Sequence, residues 1–213
     1  MPPTTDFRAE VILLAAGMSV RMGERNKLLI EFEGEALVRR TARIFLAAGG
    51  HVHVVLGHDA NAVRHALRDL PLNFIENPHF AEGQSTSVRA GLEGLTGDYD
   101  AVVIALSDQA SLTVSCVSDL LSAFKTGDRN LALIPYYGNA RGNPVVFPAS
   151  MIVELKAAGL NVTCREFLDR NPHRTRRYEA PNDHFVLDID TPADLTSFEN
   201  SLLSSQSRVR ALL

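Results

Sequence analysis

The chain has 213 residues, 46% of them apolar, and carries a formal net charge of −4. That is apolar material enough for one core of ordinary size, and without a long basic block the chain does not read as a protein that coats nucleic acid through a concentrated cationic face. No apolar run approaches the roughly 18 residues of a membrane span, and Met1 to Asp6 lacks the basic start and apolar stretch of a secretory leader, so the expected location is the cytoplasm.

In chain order, Val11 to Ala15 reads as a buried strand, an apolar run without polar alternation of the kind found in parallel strands covered on both faces. Leu37, Thr41, Ile44, Phe45 and Ala48 then share one helical face. Val52 to Leu56 is a second buried strand, in which His51 and His53 alternate as structural residues, and Asn73 to Ile75 is a shorter strand. Val88, Leu92 and Leu95 mark the next helix, Ala101 to Leu106 the next buried strand, and Val117, Leu120, Leu121 and Phe124 a further helix before a strand at Leu131 to Pro135. Strand, helix, strand at this spacing predicts right-handed βαβ units in a single Rossmann-like α/β domain, a mostly parallel central sheet with helices on both faces.

After residue 135 the rhythm changes. Pro144 to Phe147, Thr175 to Glu179 and Phe185 to Ile189 read as extra strands mixed with helices, a small C-terminal embellishment of the same domain. Thr191, Pro192 and Asp194 carry the signals of a helix start ahead of Leu195, Phe198 and Leu202. The expected domain covers residues 8–203, with 1–7 and 204–213 as flexible tails. Cys116 and Cys164 form no C-x-x-C pair, which argues against a disulfide framework or a structural zinc site.

In an open parallel sheet ligands collect at the carboxyl ends of the strands. After the first strand come Gly17, Arg21, Gly23 and Lys27. Glycines let backbone N–H groups approach phosphate oxygens, and Arg and Lys neutralise a polyphosphate, so the loop is an anion cradle by composition. It is not a P-loop, because Glu24 follows Gly23. Taken alone it is also compatible with a surface turn whose cations are solvated.

Two carboxylates stand at predicted strand ends, Asp108 after Ala101 to Leu106 and Asp190 after Phe185 to Ile189, with Asp188 as an accessory on the same side. One or two carboxylates completed by phosphates and waters is the usual holder of magnesium. An aspartate after a strand also serves as a turn former, and Asp190 precedes a helix start. Gly83, Ser85 and Ser87 open a helix, where hydroxyls and N–H groups reach a base edge or a phosphate.

These segments together resemble the molybdenum cofactor cytidylyltransferases, within the wider class of nucleotidyltransferases. Leu14 to Lys27 fits the signature L-A-A-G-x-S-x-R-M-G-x-x-N-K, Gly83 to Leu92 fits G-x-S-x-S-x-x-x-G-L, Asp108-Gln109 is similar to Asp-Gln-Pro, and Asp188 to Pro192 to Asp-Ile-Asp-Thr-Pro. The resemblance implies that Leu14, Ala15, Ala16, Gly17, Arg21 and Lys27 hold a nucleoside triphosphate with Gly83, Ser85, Ser87 and Asp108. It implies that Asp108 and Asp190 bind Mg2+, that Arg21, Lys27 and Asp108 are catalytic, and that Gly142, Asn143 and Pro144 lie beside the acceptor. Ala15-Ala16-Gly17 is the cytidylyl form of the motif, which implies CTP, a phosphorylated acceptor such as molybdopterin, and a recipient molybdoenzyme of the xanthine dehydrogenase type. Other readings are a nucleotidyltransferase acting on a sugar phosphate or methylerythritol phosphate, and a non-catalytic accessory protein that binds the cofactor. The pattern departs at Ala110, where the family has proline, and around Cys164, where little beyond Gly159 and Arg165 matches.

Overall fold

The structure is a computed structural model and describes residues 7–18, 26–158, 162–189, 191 and 193–198. Its elements in order are β1 (Ala9–Ala15), β2 (Glu31–Phe32), β3 (Glu35–Ala36), α1 (Leu37–Ala47), β4 (His51–Leu56), α2 (Ala60–Ala66), β5 (Asn73–Glu76), α3 (Gln84–Glu93) and β6 (Ala101–Leu106), followed by α4 (Val114–Thr126), β7 (Ala132–Tyr137), β8 (Ala140–Arg141), β9 (Val145–Pro148), α5 (Ala149–Ala157), α6 (Cys164–Asp169) and β10 (Thr175–Glu179).

The main sheet runs β10-β7-β9-β6-β1-β4-β5, with β8 paired to β7, while β2 and β3 form a separate hairpin. β1 lies between β4 and β6 and is parallel to both. The chain therefore builds outward from β1 through β4 to β5, then crosses back to β6. That reversal is the switch point at which such sheets open a crevice beyond the strand ends. The expected Rossmann-like domain is present, and β9, antiparallel to β6, makes the sheet mixed.

Burial explains why β1 is apolar from Val11 to Ala15. Val11, Leu13 and Ala15 pack with Val38 and Phe45 of α1, Val63 of α2 and Val117 of α4. Ile12 and Leu14 pack on the other face with Val88 and Leu92 of α3 and Met151 of α5. Each fully buried Leu, Ile or Phe contributes roughly 1.5–3 kcal/mol of transfer free energy, so a strand covered on both faces gains at every position. Among the described residues no helix is long and apolar enough to cross a membrane.

One expected strand is absent. Residues 183–185 form a 3-10 turn opened by the Asn182 side chain, which accepts from His184 N–H. Leu187 is exposed while Phe185 and Ile189 are buried, so the predicted alternation fails at its middle member. The two lateral edges of β6 are already taken by β1 and β9, which leaves no edge there for another strand. The Phe185 carbonyl is instead used by Gln109 Nε2 and Asn143 N. The helix start at Thr191 is present: its hydroxyl accepts from Asp194 N–H, and its own N–H donates to the Asp194 carboxylate. Pro192 and Leu202 lie outside the described residues.

A polar cluster sits at the opposite end of β1. Glu10, 1% exposed, accepts from His53 Nε2 at 2.6 Å and Arg8 Nε at 2.5 Å, and His51 Nδ1 lies 3.5 Å away. Burial pushes the Glu10 carboxyl up, but the hydrogen bond from His53 and then the bond and charge of Arg8 more than offset it and hold it below the ordinary carboxylate range. The hydroxyl of the partly buried Tyr99 is pushed up by burial and by the negative charge of Glu10. A carboxyl lowered on folding stabilises above its unfolded pKa, and that contribution is lost as pH falls through the folded value. Glu10→Gln should therefore cost about 1–3 kcal/mol at neutral pH. Urea midpoints of the two proteins should converge below about pH 4.5; a gap that stays constant down to pH 3 would contradict the assignment.

Candidate active site

Beyond the carboxyl ends of β6, β1 and β4 lies a cavity of about 380 Å³, lined by Leu14, Ala16, Gly17, Lys27, Ser87 and Asp108 among others. Its geometry begins with Asn26. The Asn26 side chain accepts from Leu28 N–H at 3.0 Å and donates to Asp59 at 3.2 Å, which starts the 3-10 turn Lys27–Leu29 and buries Leu28 in the core. From that turn Lys27 Nζ reaches Asp108 Oδ2 at 2.6 Å, across 81 positions of sequence. The ammonium and carboxylate are 14% and 17% exposed, so water screens this pair much less than a surface one.

The strand exits are tied together beneath the pair. Ser107 Oγ donates to the Leu14 carbonyl at 2.6 Å, and Thr41 Oγ1 donates to the Ser107 carbonyl at 3.2 Å. Ala110 N–H and Ile189 N–H both donate to the Asp108 carbonyl, at 3.2 and 3.1 Å. A proline at 110 would supply no such N–H. Ala110 is buried against Phe32, Leu37 and Ile189, and its carbonyl accepts from Arg40, so the departure at this position leaves the loop anchored.

Asp108 Oδ1 is buried and has no hydrogen-bond partner among the described residues. A buried carboxylate oxygen left unmatched is costly, and a hard carboxylate donor on the cavity wall suits a divalent cation. Among the described residues no three His, Cys, Asp or Glu side chains gather as a metal cluster. A single carboxylate of this kind fits magnesium, which is held by one or two carboxylates and keeps waters and substrate oxygens.

The far wall comes from α3. Gly83 precedes it at φ +120°, a conformation that an L side chain rarely adopts, and its open side faces the cavity. Buried Asn77 donates to Thr86 Oγ1 and Ser87 Oγ at 2.9 and 3.0 Å and accepts from His79 N–H, which locks the first turn of the helix. Thr86 donates its hydroxyl to the Gly83 carbonyl and Ser85 makes no cap, so neither caps the helix.

A second cavity of about 270 Å³ adjoins the first and shares Leu14, Gln84 and Leu106 with it. Ser85, Arg141, Gly142, Asn143, Cys164 and Arg165 line it. Two guanidinium groups and no carboxylate stand among its described lining residues, although Arg141 also pairs with Asp169 at 2.7 Å. Burial pushes the Cys164 thiol up to about 12, against the lowering effect of Arg141, so it is neutral at ordinary pH. Gly142 is required here because a Cβ would stand 2.4 Å from the Phe185 carbonyl oxygen.

Leu14, Ala16, Gly17, Lys27, Gly83, Ser87 and Asp108 thus converge on the first cavity, and Gly142 and Asn143 on the second. Ser85 lines the second cavity, apart from Gly83 and Ser87 of its motif, which line the first. Ala15 packs in the core with Val11 and Leu13, Pro144 lines neither cavity, and exposed Asp188 lines neither. Arg21 and Asp190 lie outside the described residues, although the Ile189 bond brings the chain to Asp108 one position earlier. Sequence reasoning missed Phe80 and Gln84. Gln84 carried a usable signal, since it lies inside the Gly83–Ser87 motif; Phe80 carried none.

The fold and site have relatives. The chain is 29% identical over 187 residues to nicotine blue oxidoreductase of Paenarthrobacter nicotinovorans, covering 84% of this chain and 91% of the relative. It is 24% identical over 186 residues to molybdenum cofactor cytidylyltransferase of Escherichia coli K12, covering 87% and 92%. Its fold is similar to that of a solved nucleotidyl transferase from Methanothermobacter, with a TM-score of 0.79 at 20% identity, covering 93% of this chain and 99% of that one. Residues 11–175 match the MobA-like NTP transferase domain, and the chain belongs to that family.

Proposed function

We propose that the protein is a magnesium-dependent cytidylyltransferase that moves CMP from CTP to a phosphorylated acceptor of the molybdopterin type and releases pyrophosphate. The observation that carries this reading is the pair of cavities sharing the Leu14–Gln84–Leu106 wall. One holds a lysine–aspartate pair with a carboxylate oxygen that has no partner among the described residues, and the other presents two guanidinium groups. A triphosphate in the first and a phosphate monoester in the second would meet at that wall.

The chain's residues then divide the work. Arg141 and Arg165 hold the acceptor phosphate, which is mostly dianionic near pH 7 because its second pKa is about 6. Its oxygen attacks the α-phosphorus of CTP, the α–β bridging bond breaks, and both electrons leave with pyrophosphate. No proton must be removed, so no general base is needed. The neutral Cys164 thiol is a poor nucleophile, which favours direct transfer over a covalent enzyme intermediate. Lys27, with Arg21 and the backbone of Leu14 to Gly17, neutralises and positions the triphosphate. Magnesium, held by Asp108 and Asp190, supplies charge neutralisation of the phosphates when bound. A molybdoenzyme of the xanthine dehydrogenase type is the proposed recipient of the product.

The Paenarthrobacter relative favours a second reading, an oxidoreductase. Purified protein with magnesium and molybdopterin should release pyrophosphate from CTP, faster than from GTP and faster than with methylerythritol phosphate or a sugar phosphate. Consumption of a reduced nicotinamide nucleotide without pyrophosphate formation would replace the transferase reading with the second one.

A further inference from the structure

The first cavity is lined both by the charged pair Lys27 and Asp108 and by the apolar Phe80 and Ala81. Asp108 follows β6 and Ala16 follows β1, Gly57 follows β4, and Phe80 stands four positions beyond the end of β5. Across the sheet order β6-β1-β4-β5, the cavity therefore extends from the Lys27–Asp108 pair toward Phe80, Ala81 and Gly83. Given the triphosphate reading, the charged end takes phosphates and the Phe80 end takes the base.

Phe80 is held in place from behind. A Cβ built on Gly57 would lie 2.6 Å from Phe80 Cβ, 2.7 Å from Phe80 Cγ and 2.7 Å from the Ala16 methyl. The root of the Phe80 ring and the Ala16 methyl thus rest together against the bare Gly57 backbone. The Phe80 carbonyl accepts from Gly83 N–H at 3.4 Å, and the His58 ring lies 6.3 Å away. Ala16 is 4% exposed, so most of its surface is spent on its neighbours rather than on the cavity.

We infer that Phe80 is the residue that sets how large a base the nucleotide cavity admits, and that Ala16 acts on base choice by fixing Phe80. This rests on the nucleotidyltransferase reading and assigns a specificity role to a residue outside the signature motifs. A methyl removed from a well-packed site leaves room for its neighbour to shift. A glycine at 16 would let the Phe80 ring retreat, and an alanine at 80 would remove the wall itself.

The test uses the full chain, with Kd measured for CTP and GTP in the presence of magnesium. Phe80→Ala should shift the GTP:CTP affinity ratio toward the purine by about tenfold or more, and Phe80→Leu by less. Ala16→Gly should shift it in the wild-type background and have little further effect beside Phe80→Ala, a non-additivity that marks coupled residues. A ratio within about twofold of wild type in Phe80→Ala, with CTP still bound, overturns the inference and leaves the transferase reading intact. Additive effects of the two substitutions overturn the part assigned to Ala16. Binding of neither nucleotide by the wild type overturns both the inference and the reading beneath it.

Discussion

Asp108→Asn is expected to lower CTP-dependent pyrophosphate release by about a thousandfold, the scale of losing one preorganised electrostatic group at a reacting phosphate, while leaving thermal stability unchanged or slightly raised. The two effects have one origin. Asp108 is partly buried, with Oδ2 matched by Lys27 and the buried Oδ1 without a partner among the described residues, so that oxygen carries an uncompensated desolvation cost. Removing such a group relieves the fold of a cost, and a site that opposes stability is the usual signature of function. Turnover and a thermal melt on the same preparation check both halves. A fall in melting temperature of many degrees would make Asp108 a structural residue. A wild type that binds the cofactor tightly, forms no pyrophosphate and is unaffected by the change would favour the accessory-protein reading.

Lys27→Met is expected to separate two roles of the ammonium group. Lys27 Nζ sits 2.6 Å from Asp108 Oδ2 and so competes with any cation for that oxygen. Without nucleotide, the variant should bind Mn2+ several-fold more tightly than the wild type, read by the manganese electron paramagnetic resonance signal. With CTP and acceptor, turnover should fall about a hundred- to a thousandfold, because the triphosphate loses a positioned cation. Lys27→Arg should restore only part of the rate, since a planar guanidinium on a different stem does not reproduce a point charge. Unchanged Mn2+ affinity in Lys27→Met would show that the ion pair does not guard the carboxylate.

Much of this architecture was legible in the residues. β1, β4 and β6 are nearly continuous apolar runs because each is covered on both faces, Glu10 and His53 being buried there only as a hydrogen-bonded pair. The α1 face of Leu37, Thr41, Ile44 and Phe45 was equally plain, since one stripe at helical spacing is what packs on a sheet. Asp108 was legible because a carboxylate straight after a buried strand must emerge at its carboxyl end. The segment Phe185 to Ile189 misled, because alternation describes a strand only where a sheet edge is free to receive it. Ser85 and Ser87 share a motif, yet two positions on a helix lie about 200° apart, so one faces each cavity.

Local patterning, then, decided which stretches became buried strands and amphipathic helices, because burial and periodicity act over a few residues at a time. The order of the strands decided the rest. Only the crossing from β5 back to β6 on the far side of β1 brings Lys27 to Asp108 across 81 positions. Only packing sets Phe80 on Gly57 beside Ala16. Such contacts depend on which chain segments become neighbours in space, a quantity set by the summed burial of the whole sheet and written in no single motif.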